Sequence, residues 1–411
     1  MKKIYGGLFA FVLVVISFLC YELYHDNNKY LVENSRSKSI VNNGNTISIM
    51  LETGSGSGEY QESSSSSWPT DLIFNSKLSK CTNGGEISWD ATNKKVVVKS
   101  NSVDNCYAYF DSIPTLASYC SNGSNLASCI MNFADAAGSS NSKIYHHDSS
   151  LANGAGDGSY RYSGANPSNY VCFGSTERSC PTDNLYRIIY VKGGQVKLIK
   201  ARAASSTLLG TDGDYVSNTG SYRWNYKADT TINSGNGSND WSTSLLNKTN
   251  LNKNFINKIG TTWAGKIATT TWQVGGAGWD MATTAGIKNM YNKEMTTNAS
   301  TTYNAKIGLM YVSDYGFAAS PKYWSLPGYN DEEEDIRKGI KENWLYDGSY
   351  EWTLSRRSSG IAESVFLVDA SGFVDIDYAS ESYVVRPSFN LVASTTYASG
   401  DGTASSPIRI G

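Results

Sequence analysis

Tyr186-Arg187-Ile188-Ile189-Tyr190-Val191 and Gln195-Val196-Lys197-Leu198-Ile199-Lys200, separated by Lys192-Gly193-Gly194, form the clearest strand pattern in the chain. Both runs are rich in β-branched and aromatic residues, and the paired glycines between them supply the backbone freedom of a tight turn, so the stretch reads as a β-hairpin. Downstream, Val365-Phe366-Leu367-Val368, Gly372-Phe373-Val374-Asp375-Ile376 and Tyr383-Val384-Val385-Arg386 read as further strands. Three helical patterns interrupt them. Leu251, Phe255, Ile256 and Ile259 share one helical face, Ile287, Met290 and Tyr291 a second, and Ile336, Ile340 and Trp344 a third. The third begins with Asp331-Glu332-Glu333-Glu334-Asp335 and later carries Arg337, Lys338 and Lys341, a charge order that suits the helix dipole better than it suits a calcium site. Strands with flanking helices from about residue 166 to residue 411 predict an α+β domain.

Upstream of that domain, residues 46–112 read as a small β-sandwich-like module, with strands around Ile87-Ser88-Trp89, Lys95-Val96-Val97-Val98-Lys99 and Cys106-Tyr107-Ala108-Tyr109-Phe110. Residues 113–165 read as a connector. Residues 25–45 are polar and lack periodicity, as a stalk would. Residues 4–24 are almost continuously apolar and follow Lys2 and Lys3, which predicts an uncleaved transmembrane helix behind a three-residue cytoplasmic stub, with the bulk of the chain outside a cell membrane. No small-residue cleavage pattern lies at the exit of the run, and Leu19 before Cys20 does not suit a lipoprotein signal.

Six further cysteines follow Cys20, an even number that suggests disulfides in an exported chain. Their spacing makes three local couples, Cys81 with Cys106, Cys120 with Cys129, and Cys172 with Cys180, and none forms the C-x-x-C of a zinc or redox site. The formal net charge is −2 and charged residues make up 18% of the chain, which leaves no basic surface for phosphates and argues against nucleic acid as a partner. Neighbouring His146 and His147 tempt a metal reading. Adjacent side chains diverge on a strand or a helix, however, so no metal and no cofactor are expected.

Several phrases occur together in order: Asn169-Tyr170-Val171-Cys172-Phe173-Gly174, Asp183-Asn184-Leu185-Tyr186-Arg187-Ile188-Ile189, Lys306-Ile307-Gly308-Leu309-Met310-Tyr311, Ser313-Asp314-Tyr315-Gly316, Glu351-Trp352-Thr353-Leu354-Ser355 and Val385-Arg386-Pro387-Ser388-Phe389. From about Leu151 to Gly411 they resemble the domain of unknown function DUF6273, found in surface proteins of Gram-positive gut bacteria. The first module, with Trp68-Pro69, Phe74-Asn75 and Cys81-Thr82-Asn83-Gly84-Gly85, is similar to the part that accompanies that domain. The resemblance implies a C-type-lectin-like or formylglycine-generating-enzyme-like fold with antiparallel sheets and flanking helices. One departure is Val384, where the usual pattern has glycine before Val-Arg-Pro.

Three kinds of function follow from these readings. The first is a non-catalytic binding or display protein of the cell surface, adhering to a glycan or host protein. A structural envelope protein without a small ligand is the second, and an enzyme related to formylglycine-generating proteins the third. The enzyme reading lacks a late cysteine pair, because no cysteine follows Cys180, and no G-x-S-x-G elbow accompanies the histidines. No catalytic residue is therefore expected. The calcium-dependent lectin tripeptides are also missing, so sugar binding would be led by aromatic residues. Tyr323, Trp324 and Tyr329, on a loop stiffened by Pro321 and Pro327, are the candidate ligand-binding residues. An alternative fate for Trp324 is to plug the domain core.

Overall fold

In a computed structural model, the central hairpin consists of strands Leu185–Lys192 and Gln195–Lys200. Lys192 belongs to the first strand, so the loop is just Gly193-Gly194, with φ of 57° and 78°. Positive φ at both positions is what a two-residue type I′ turn requires, and a side chain at either would strain it. The structure describes residues 40–42, 44–54, 57–226, 235–280, 286–297, 301–325, 334–358 and 362–411.

The chain divides into two units, Met1–Ile113 and Pro114–Gly411. In the first, strands Asn45–Glu52 and Asn105–Asp111 pair in parallel at the centre of a six-stranded sheet, and short antiparallel strands flank them. Strands Glu86–Asp90 and Lys95–Lys99 make a separate hairpin. Ile47, Ile49, Val96, Ala108 and Phe110 fill the core, and the bond between Cys81 and Cys106 links two neighbouring strands of the sheet. The expected sandwich is thus corrected to one mixed sheet with a hairpin packed on it. A chain this short gains little core, and a covalent staple removes entropy from its unfolded state.

The second unit is organised by a seven-stranded antiparallel sheet. Its order runs Ile307–Gly308, Ser388–Asn390, Gln195–Lys200, Leu185–Lys192, Ser159–Tyr162 and Ile144–His147, with Tyr170–Cys172 also paired to Leu185–Lys192. The hairpin is central, which explains why its strands bury residues on both faces rather than alternating. A second, three-stranded sheet joins Glu351–Arg356, Ser364–Val368 and Val374–Tyr378. The segment expected to be a connector instead supplies two strands of the large sheet and the helix Leu126–Ala137. That helix is capped by Asn125, whose side chain accepts from the Ser128 amide, and it buries Leu126, Ile130 and Phe133.

The three helical patterns fall on Leu246–Phe255 with Ile256–Gly265, on Ile287–Asn292 and on Glu334–Lys341. Leu251, Phe255, Ile287, Met290, Ile336, Ile340 and Trp344 are all buried. The helices are nonetheless short, and one is kinked at Gly260. The α+β expectation with a lectin-like mixed domain is therefore corrected, since the molecule is mostly sheet, 32% strand against 23% helix. Six-residue helices such as Ile287–Asn292 and Val312–Phe317 cannot sustain themselves and exist only because the sheets bury their apolar faces.

The localisation as a single-pass membrane protein is corrected as well. No helix among the described residues is long and apolar enough to cross a membrane. Residues 4–24, on which the anchor was placed, and most of the stalk lie outside the described residues.

All three cysteine couples are joined: Cys81 to Cys106, Cys120 to Cys129 and Cys172 to Cys180. Val384 pairs with Glu351, and Arg386 beyond it is buried in a two-pronged bond to the Glu351 carboxylate at 2.8 and 2.6 Å.

Candidate functional site

Of the three aromatic residues expected to bind a ligand, the two that are described, Tyr323 and Trp324, are buried. Trp324 is 0% exposed and donates from its indole N–H to the Ala319 carbonyl at 3.0 Å, with Tyr145, His147 and Phe317 packed around its ring. Tyr323 is also buried, its hydroxyl donating to Glu342. Tyr329 lies outside the described residues, as do Asp331, Glu332 and Glu333 of the acidic run. The apolar bulk of Tyr323 and Trp324 fills the core instead.

The two histidines diverge as strand geometry requires. His146 stacks on Tyr160 at the surface, whereas His147 points inward and accepts from the Ala155 amide at 2.9 Å. Burial, reinforced by the Arg161 charge, pushes His147 down to about 2, so it is neutral at any physiological pH. Among the described residues the one group with metal-ligand spacing is Cys81, Asp104 and Cys106, and its two sulfurs are already bonded to each other.

What the fold does assemble is a buried ionic cluster that sequence reading missed. Lys197, on the inner strand of the hairpin, is 0% exposed and donates to Asp314 at 2.6 Å. Asp314 stands at the start of the helix Val312–Phe317 and also accepts from Arg161 at 3.1 Å and from the Tyr311 amide at 3.0 Å. Gly316, two residues on, leaves room for Ile287, because a Cβ there would sit 2.2 Å from its terminal methyl. Arg161 bridges to a second carboxylate, Asp157, at 3.3 Å, while its Nε donates to Ser159. Aromatic rings box in both cations: Tyr190, Phe317 and Tyr291 around Arg161, and Tyr311, Trp272 and Tyr190 around Lys197.

Burial alone would raise the two carboxylates, but their partners prevail. Lys197 and Arg161 hold Asp314 below the usual range, and Arg161, Ser159, Lys192 and Tyr291 do the same for Asp157. Glu294, fully buried nearby, behaves in the opposite way. Burial pushes it up to about 7, although the Ser313 amide and the Ser355 hydroxyl both donate to it.

At one end the cluster reaches solvent. Asp157 accepts from the Lys192 ammonium at 2.9 Å and from the Tyr291 hydroxyl at 2.8 Å. Lys192 is 44% exposed, and these groups edge a cleft of about 590 Å³ lined also by Thr271, Gln273, Asn292 and Met295. A carboxylate that accepts five hydrogen bonds and is held well below its usual range is a poor proton acceptor. The arrangement can hold and orient a polar group through Lys192, Tyr291 and the amide and hydroxyl side chains.

Lys197 was the one available signal, a mid-strand lysine between Val196 and Leu198 that must find a counter-charge if buried. Comparisons with protein-family models, curated proteins and solved structures find no match.

Proposed function

We propose that this chain is a non-catalytic binding or display protein, stapled by three disulfides, whose cleft beside Asp157, Lys192 and Tyr291 takes a polar group of a glycan or a protein. The supporting observation is the saturated Asp157 carboxylate, which fixes Lys192 and Tyr291 at the cleft edge through hydrogen bonds. Disulfides of this number suit an oxidising compartment. Nucleic acid is not among the partners we propose, since the net charge of −2 supplies no phosphate-binding surface.

The test is a glycan-array and protein-ligand screen with the full chain and with Lys192→Met. The expected result is at least one ligand whose affinity falls about tenfold or more in the variant, a loss of the size one charged hydrogen bond supplies. Absence of any ligand for the parent chain, or reproducible turnover of a bound ligand, would overturn the reading.

A further inference from the structure

A second cleft, of about 370 Å³, lies elsewhere in the second unit and shares no residue with the first. One wall is the loop closed by the Cys172–Cys180 bond, carrying Ser175, Thr176, Glu177 and Arg178. Trp263, near the end of the helix Ile256–Gly265, forms another wall, and Arg409 a third. Trp263 packs against the buried Phe173 with ring centroids 5.0 Å apart and keeps part of its surface exposed. Arg409 donates to the backbone carbonyls of Ser175 and Arg178, so the disulfide loop fixes the position of its guanidinium.

Charge is what sets this cleft apart. Among the described residues, neither the Arg178 nor the Arg409 guanidinium meets a carboxylate within ion-pair distance, and Glu177 is the single acidic residue of the lining. In the ionic cluster every cation has its counter-charge inside the protein. Here Arg178 and Arg409 line a cleft together with Trp263 and one acidic residue, Glu177, and neither cation is ion-paired among the described residues.

We infer that this cleft binds an acidic saccharide, with the sugar's apolar face on Trp263 and its carboxylate on Arg178 and Arg409. Aromatic rings take up pyranose faces at small entropic cost because they are already held, and the planar guanidinium fork matches a carboxylate. Size agrees, as the cleft holds about one to two sugar rings by comparison with ordinary ligand pockets of a few hundred Å³.

The experiment titrates D-glucuronic acid, glucose and acetate into the full chain, followed by saturation-transfer NMR at low and high salt. Glucuronic acid is expected to bind at least tenfold more tightly than either comparator and to weaken as salt rises. Arg178→Gln, which keeps the backbone carbonyl that Arg409 uses, should lower glucuronic acid binding about tenfold and leave the melting temperature unchanged. Lys192→Met should leave it intact, which separates this site from the first cleft. Equal binding of glucose would overturn the charge recognition, equal binding of acetate would overturn the ring recognition, and an unaffected Arg178→Gln variant would overturn the site.

Discussion

Replacing Asp314 by Asn tests whether the buried ionic cluster holds the second unit together. The substitution keeps the side chain's shape but removes the charge that Lys197 and Arg161 share, and both cations are almost fully buried, at 0% and 3% exposure. Removing one partner of a buried pair typically costs about 3–5 kcal/mol, since the remaining charge loses its compensation while its desolvation persists. At roughly 2–4 °C per kcal/mol for a unit of this size, the melting temperature should fall by about 6–20 °C. The acid limb changes too. Asp314 is held below its usual range, so its contribution is present above the unfolded carboxylate value, about 3.9, and is lost as pH falls through the folded value. Asp314→Asn should therefore show a shallower loss of stability on acidification. A double change, Asp314→Leu with Lys197→Met, removes both charges and should be less destabilising than Asp314→Asn alone, by about 1 kcal/mol or more. Thermal melts of the three proteins from pH 3 to 8 read all of this. A single variant within about 1 kcal/mol of the parent, or a double variant no more stable than Asp314→Asn, would refute the ion-pair account.

Two further expectations follow from buried groups. Glu294 is raised to about 7 by burial, so the stability it permits is complete below the unfolded glutamate value and is lost as pH rises through 7. Glu294→Gln should flatten the fall in melting temperature between pH 5 and 8, worth about 3 kcal/mol at most, and an unchanged slope would show that Glu294 is not the group responsible. Trp324→Ala should cost about 3–5 kcal/mol by opening a cavity among Tyr145, His147 and Phe317. A near-constant melting temperature would return Trp324 to the surface.

The hairpin at 185–200 was legible because strand composition and the Gly193-Gly194 turn are local signals, and the three helical faces were legible for the same reason. Cysteine couples close in sequence were legible because short loops close easily. Fold class was harder. Periodicity shows that Ile287, Met290 and Tyr291 share a face, but not that the helix ends after six residues, which tertiary packing decides. The helix Leu126–Ala137 and two strands fall in residues 113–165, which read as a connector because their apolar residues sit among serine, glycine and asparagine that obscure the pattern. Trp324 illustrates a different limit. An aromatic residue on a proline-bearing loop has the same composition whether it faces solvent or core, and only the place of Ala319, whose carbonyl takes the indole N–H, decides it.

The ionic cluster could not have been read from any window of sequence. Asp314 meets residues 117 and 153 positions away, and the spacing carries no motif. A mid-strand lysine flanked by apolar residues must either escape the core or bring an anion into it. Lys200, at the strand's end, takes a cheaper course and donates to the Asp183 carbonyl. Lys197 sits in mid-strand beneath Tyr190 and Tyr311, with no route outward, so an acid had to come to it. At the cleft beside Trp263 the opposite holds. Arg178 and Arg409 are not forced inward, and among the described residues neither is ion-paired; guanidiniums left unpaired in a cleft that Trp263 also lines cost little in water yet give an anionic ring somewhere to bind. Charge that is balanced within the protein builds the scaffold here, and charge that is left unbalanced at its surface is where a ligand should be sought.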